Sequence, residues 1–256
     1  MDELTLAALD RNYLDANRLF MACSDTGEYV ERHDAAIVCC GLPAEDLNWG
    51  FLKAPRATPE ETANAVTDYF RGRRLRFQVT GRTGAEDGWK GALEAAGWQA
   101  AKRVPGMARA TPDAIPRPPA GLEIEEVRTP ELLGAYRETA FVGFGYPKGA
   151  AHIFLNQRML GLPGLRLYAG RVDGRVVATS MLWVTGEVGG IYWVATLAEQ
   201  RGRGYGEALT WAAAAGAREH ACRTLSLQAS EMGRPVYARM GFEHVLDYAC
   251  YRPADA

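Results

Sequence analysis

The stretch "EQRGRGYGEAL", Glu199 to Leu209, constrains this chain most. Gly202, Gly204 and Gly206 alternate with Arg203 and Tyr205 behind Arg201, and strong helix formers follow. Glycine loses more conformational freedom on folding than other residues, so such a run ahead of a helix points to something only missing side chains provide. A helix start leaves backbone N–H groups without partners inside the helix, and the helix dipole adds partial positive charge there. With two guanidinium groups alongside, the stretch is suited to an anion such as a phosphate. Two phosphate motifs are excluded. A Walker loop needs Gly-Lys-Ser/Thr, but Gly206 is followed by Glu207 and Ala208, and the dinucleotide fingerprint needs another glycine spacing and a later acidic residue.

The 256 residues suit two domains better than one. "TPDAIPRPPAG", Thr111 to Gly121, holds four prolines and reads as a stiff connector, dividing the chain into residues 1–110 and 122–256. A net charge of −2 with dispersed charges gives no footprint for nucleic acid or an anionic membrane. Cys23, Cys39, Cys40, Cys222 and Cys250 show neither CxxC spacing nor a nearby histidine pair, so buried thiols are expected rather than disulfides or a metal site. The acidic N-terminal stretch lacks a secretory pattern and no run is long enough to span a membrane, so a cytoplasmic protein is expected.

In the second half, "RTPELLGAYRETAF" reads as a helix capped by Thr129 with Pro130 at its first position. A second helix is expected over "AAHIFLNQRML", with an irregular loop, "VGFGYPKG", between the two. Asp173-Gly174 marks a hairpin, and "GIYWVAT" is a strand running into the glycine loop. "EALTWAAAAGAREH" places Leu209, Ala212, Ala213, Gly216 and Ala217 on one helical stripe, with Trp211 off it. A strand "LSLQA", a short helix "RPVYARM" and a last strand near "FEHVLDYACY" complete an α/β pattern with a mixed central sheet. The first half repeats it faintly: "LRFQV" parallels "LSLQA", and "ALEAAGW" parallels "VYARMGF". "TPEETANAVTDYF" is a helix with a capping box, Thr58 and Glu61. No glycine loop precedes that helix, so the first half is expected to be a degenerate copy.

The pattern Arg/Gln-x-x-Gly-x-Gly, met by Arg201, Gly204 and Gly206, together with "LQASEMGRPVYARMGF", resembles the GCN5-related N-acetyltransferases, the GNAT family, over about Leu122 to Tyr251. The resemblance implies the acyl-CoA N-acyltransferase fold, two such domains in tandem, and acetyl transfer from acetyl-CoA to the amine of a small-molecule acceptor by direct attack. It implies that Arg201, Gly202, Arg203, Gly204, Tyr205 and Gly206 hold the pyrophosphate, and that Val194 and Thr196 offer backbone groups to the pantetheine arm. It further implies that Ser230 touches the cofactor, where many members carry asparagine, and that Tyr237 protonates the leaving thiolate. The family's glutamate base corresponds to Gly190, leaving Glu187, Tyr192, His152 and Glu231 as candidates. Phe141, Phe144, Tyr146, Trp183 and Tyr192 are expected to wall the acceptor pocket. A non-catalytic acyl-CoA sensor and a longer acyl group are the alternatives, and the protein is expected to be a monomer or a homodimer.

Overall fold

Asp173 and Gly174 both take left-handed backbone angles, φ 49° and 77°, and the tight turn expected at this dipeptide joins antiparallel β7 (Leu165–Val172) and β8 (Arg175–Thr185). The structure, a computed structural model, describes residues 3–53, 58–84, 87–146, 151 and 155–254, without the side chains of Leu4 and Asp87. It divides into two compact units. One comprises residues 1–16 and 107–244, the other residues 17–106 and 245–256.

In the first unit β6 (Glu123–Glu126), β7, β8 and β9 (Val188–Thr196) run antiparallel in chain order. β10 (Thr224–Gln228) lies parallel to β9, and the end of β5 (Trp98–Ala110) lies beside β10. α5 (Tyr205–Glu219) makes the crossover from β9 to β10. Its small residues bring it close to the sheet: a Cβ at Gly189 would stand 2.7 Å from that of Ala217, and one at Gly216 would stand 2.2 Å from the Tyr168 hydroxyl. Trp211, expected off the stripe, is buried in this core, with the Arg109 guanidinium 5.2 Å from its ring centroid. The indole reaches round the helix flank and a cation covers its face, a contact that heptad counting does not register. α4 (Pro130–Gly143) starts as expected, the Thr129 hydroxyl accepting the Leu132 N–H at 3.3 Å. Of the next expected helix, Ala150 and residues 152–154, His152 among them, lie outside the described residues, as do residues 147–149 of the expected loop before it. Downstream, Asn156 caps a single 3-10 turn, Gln157–Met159. The first part of α1 (Glu3–Cys23), up to Ala16, also belongs to this unit. So does the proline-rich segment: Ile115 packs on the core and Arg218 donates to the Asp113 carbonyl.

The second unit repeats the order. β1 (Glu28–Arg32), β2 (Ala35–Cys39) and β3 (Asn48–Leu52) are antiparallel, and β4 (Gln78–Arg82) lies parallel to β3 after the crossover α2 (Pro59–Arg71). α3 (Asp87–Ala95) then leads into β5. β4 starts three residues later than the expected strand over "LRFQV" begins, and Phe77, just ahead of it, stacks on Phe70 at 4.7 Å between centroids. Thr58 stands at the N-cap of α2, but its hydroxyl caps nothing, so the expected capping box is not formed. The two Gly–aromatic pairs adopt one conformation: Gly97 and Gly241 have φ 80° and 83°, and Trp98 and Phe242 after them are buried.

The units do not follow the expected division at the proline-rich segment. β11 (Glu243–Pro253) runs antiparallel to β4 with Tyr248↔Arg82, Ala249↔Gly81, Cys250↔Thr80 and Tyr251↔Val79, and Ala249 and Tyr251 join the second core. The reason is the hydrogen-bonding edge of β4, which the chain's last strand fills. All five cysteines are buried free thiols. No described helix is long and apolar enough to cross a membrane.

Deleting Val245–Ala256 uncovers β4 and removes the buried Leu246, Tyr248 and Tyr251. At about 1.5–3 kcal/mol for each large side chain, the loss rivals the whole stability of a domain. Amide hydrogen exchange should show β4 losing its protection in the truncated chain.

Candidate functional site

β9 and β10 pair over only three positions, Val188↔Thr224, Gly189↔Leu225 and Gly190↔Ser226, although β9 continues to Thr196. Beyond Gly190 the two parallel strands part. Toward β8 the register slips between Thr179 and Met181, and Trp193 takes φ 50°, an outlier for a bulky residue. The Thr179 hydroxyl donates to the Trp193 carbonyl at 2.9 Å. The turned-out Trp193 ring stacks on Phe141, centroids 5.6 Å apart, and meets Phe144 edge-on at 5.3 Å. Tyr146 joins this cluster beside Phe141 and Phe144. Three of the five expected wall residues thus gather around Trp193, which sequence reasoning did not single out.

The second unit lacks this opening. There β3 and β4 pair from Trp49↔Gln78 to Leu52↔Gly81, and the Trp89 indole donates to the Lys53 carbonyl at 2.7 Å, just past the end of β3. Glu60 and Glu61 occupy the first turn of α2, where an anion would be repelled.

In the first unit β9 leads through a 3-10 turn, Ala198–Gln200, into the glycine loop. Gly202 and Gly204 take φ 76° and 78°, and Gly204 caps α5 with no side chain. Nothing lies within 4 Å of where a Cβ of Gly202 would be. A Cβ at Gly206 would stand 3.4 Å from Thr196 Oγ1 and 3.9 Å from Val194 Cγ1, so the first turn of α5 abuts the parted end of β9. A bare loop with open space beside it, next to a strand edge, fits a diphosphate followed by an extended arm. Arg201 donates from Nε to the Thr196 carbonyl and from Nη2 to the Gly143 carbonyl, both at 3.1 Å, which fixes its charge at the mouth of the opening. Arg203 is exposed. The Tyr205 ring is buried in the core, so only its backbone faces the loop.

Tyr237 on α6 (Arg234–Arg239) is buried, its ring edge-on to Phe242 at 5.9 Å. The hydroxyl of Thr210, on α5, donates to the Gly206 carbonyl at 2.8 Å. Burial pushes the phenol up to about 12, against a smaller lowering by Thr210. It therefore stays protonated at neutral pH and can donate a proton. The Ser230 hydroxyl accepts the Gly233 N–H at 3.0 Å and so caps the turn that starts α6.

The other candidates are separated. Glu187 forms an exposed ion pair with Arg223 at 3.1 Å, and Glu231 is exposed. At Gly190 a Cβ would stand 1.9 Å from Asn12 Oδ1 and 2.6 Å from the Tyr192 hydroxyl, so α1 and Tyr192 fill the place beside that glycine. Tyr192 donates to Asn12 Oδ1 at 2.6 Å, and Asn12 Nδ2 donates to the carbonyls of Trp183 and Val188 at 3.0 and 3.3 Å. Tyr13 stacks on Tyr192, with centroids 6.4 Å apart. Burial, then the charges of Tyr13 and Asp15, hold the Tyr192 phenol well above the usual tyrosine range. Among the described residues no group of three or more His, Cys, Asp or Glu could hold a metal ion.

A parted strand pair, a left-handed glycine loop at a helix start and a buried tyrosine all belong to the first unit. Residues 124–242 match the model of the acetyltransferase (GNAT) family. Among solved structures, a GCN5-related N-acetyltransferase from Kribbella flavida superposes with TM-score 0.72 at 19% identity, covering 94% of each chain. One from Sphaerobacter thermophilus reaches 0.63 at 18%, covering 86% of this chain and 80% of that one. A tandem GNAT protein from the clavulanic acid biosynthesis pathway reaches 0.57 at 15%, covering 85% and 78%. At these identities the likeness is one of fold. No curated protein matches the chain.

Gly190→Ala forces a Cβ against Asn12 and Tyr192. It should lower stability by about 1–3 kcal/mol, as overpacking does, read as a drop in the thermal unfolding midpoint. Tyr237 has a folded value above its ordinary one near 10, so its contribution to stability is complete below pH 10 and lost as pH rises through about 12. Tyr237→Phe should flatten that alkaline loss in a titration followed by circular dichroism.

Proposed function

We propose that the chain transfers an acetyl group from acetyl-CoA to the amine of a small-molecule acceptor, using the first unit alone for the nucleotide. The observation that carries this reading is the parting of β9 from β10 directly ahead of the bare loop Arg201–Gly206. Helix-start N–H groups and the charges of Arg201 and Arg203 suit the pyrophosphate, and the exposed edge at Val194 and Thr196 suits the amide groups of the pantetheine arm. Ser230, already engaged in a turn, keeps its hydroxyl hydrogen for a contact there. The second unit, its strands fully paired and its helix start acidic, is a degenerate copy that binds no nucleotide.

In the reaction a neutral amine nitrogen attacks the thioester carbonyl carbon and the carbon–sulfur bond breaks. Tyr237 delivers a proton to the departing thiolate, and the amine gives up one proton in exchange. No cysteine belongs to the family motifs, so the acetyl group passes directly rather than through an enzyme thioester. One observation favours a second reading, an acyl-CoA sensor without turnover: glycine occupies the place of the family's carboxylate.

A free-thiol release assay with acetyl-CoA and an amine panel separates the two. Turnover is expected, and Tyr237→Phe should reduce it by about 100-fold or more, the range of general acid catalysis. Calorimetry should find coenzyme A binding unchanged in that variant. Binding without thiol release from any amine would establish the sensor instead.

A further inference from the structure

The proline-rich segment, residues 111–121, forms neither helix nor strand, yet it is fastened along its length. The Thr111 N–H donates to the Arg223 carbonyl at 2.9 Å, Arg218 donates to the Asp113 carbonyl, and Ile115 packs on the core of the first unit. At the far end Pro119 Cγ lies 3.5 Å from where a Cβ of Gly204 would stand, and the Leu122 N–H donates back to the Pro119 carbonyl at 3.1 Å. Arg218 is in the last turn of α5 and Gly204 is its N-cap, so the segment runs along the helix against its direction and ends at the glycine loop. The lengths agree with an extended chain: Asp113 to Pro119 covers about 19 Å at the polyproline rise, against about 21 Å of helix from Arg218 to Gly204.

Arg117, between Pro116 and Pro118, is thereby carried to two residues from the loop contact, about 6 Å along such a chain. It is exposed, and among the described residues it has no hydrogen bond or ion pair. The arginines of the loop are placed differently. Arg201 spends its guanidinium on the Thr196 and Gly143 carbonyls, and Arg203 stands between two of the glycines that bare the loop backbone. Glu207, half-buried in the first turn of α5, is the carboxylate that competes for a cation on this stretch. A guanidinium on a stiff, anchored segment gives up little backbone freedom when it binds.

We propose that Arg117 binds the 3′-phosphate that coenzyme A carries on its ribose, so that the proline-rich segment completes the nucleotide site. The inference rests on the nucleotide site proposed above. The ribose joins the 3′-phosphate to the diphosphate, so a diphosphate seated on the bare loop leaves this group a sugar's width away. It is a phosphomonoester with about 1.5 to 2 negative charges at neutral pH, and the planar fork of a guanidinium matches its oxygens with two parallel bonds. The loop N–H groups and Arg203 serve the diphosphate, and Arg117 supplies the charge for the second anion. Arg117 lies ahead of residues 124–242, outside the part of the chain that the family model matches.

The test is calorimetry on the whole chain with coenzyme A and with 3′-dephospho-coenzyme A. The wild type should bind coenzyme A about tenfold or more tightly, the scale of a charge-assisted hydrogen bond. In Arg117→Gln the preference should shrink to about threefold or less, because the bidentate contact is gone, while dephospho-coenzyme A binds as to the wild type. Arg117→Lys, which keeps the charge and loses the fork, should restore part of the preference. Both substitutions are at an exposed position, so the thermal midpoint should hold. Equal affinities for the two ligands in the wild type, or the full preference kept in Arg117→Gln, would overturn the inference alone. So would an Arg117→Gln variant that weakens both ligands alike, which would leave Arg117 as a partner of Glu207. Binding of neither ligand to the wild type would overturn the nucleotide reading with it.

Discussion

The parting of β9 from β10 is the constraint from which the site follows. Parallel neighbours normally satisfy each other's backbone groups along their length, and here they stop doing so after Gly190. The bulge at Trp193 holds the separation. A left-handed tryptophan costs about 1–3 kcal/mol in backbone strain, offset by the bond from Thr179 and by the stacked ring of Phe141. Arg201 then ties the end of β9 to the end of α4 through two carbonyls, so the loop's charge and the parted edge are set by the same residues.

The second unit shows what the same order of elements does without that constraint. Where the first unit has an open edge, the second has a continuous parallel pair, and the indole of Trp89 has taken a carbonyl just beyond it. Where the first has glycines ahead of the helix, the second has Pro59 followed by two glutamates. Both differences leave a packed α/β core intact, with Phe70, Trp89 and Leu93 fully buried.

Much of this was legible in local sequence. The hairpin at Asp173-Gly174, the cap at Thr129, the glycine loop and the short helix bearing Tyr237 all depend on residues within a few positions of one another. Contacts made at long range were not. Asn12 reaches Trp183 and Tyr192 across most of the chain, and a single asparagine in an amphipathic helix looks like a solvated side chain until its partners are placed. Trp193 was passed over because strand alternation assumes no bulge. The domain boundary was misplaced because the proline-rich segment marks a stiff passage of chain, whereas strand pairing decides which unit a segment completes.

That last point bears on how the molecule is made. As the polypeptide leaves the ribosome, residues 17–106 emerge with the flank of β4 bare, and the strand that covers it is translated only after the whole of the first unit's sheet. A nascent chain with an unpaired β-edge is a template for association with its neighbours. Synthesis therefore passes through an interval in which residues 17–106 await the strand that completes their sheet.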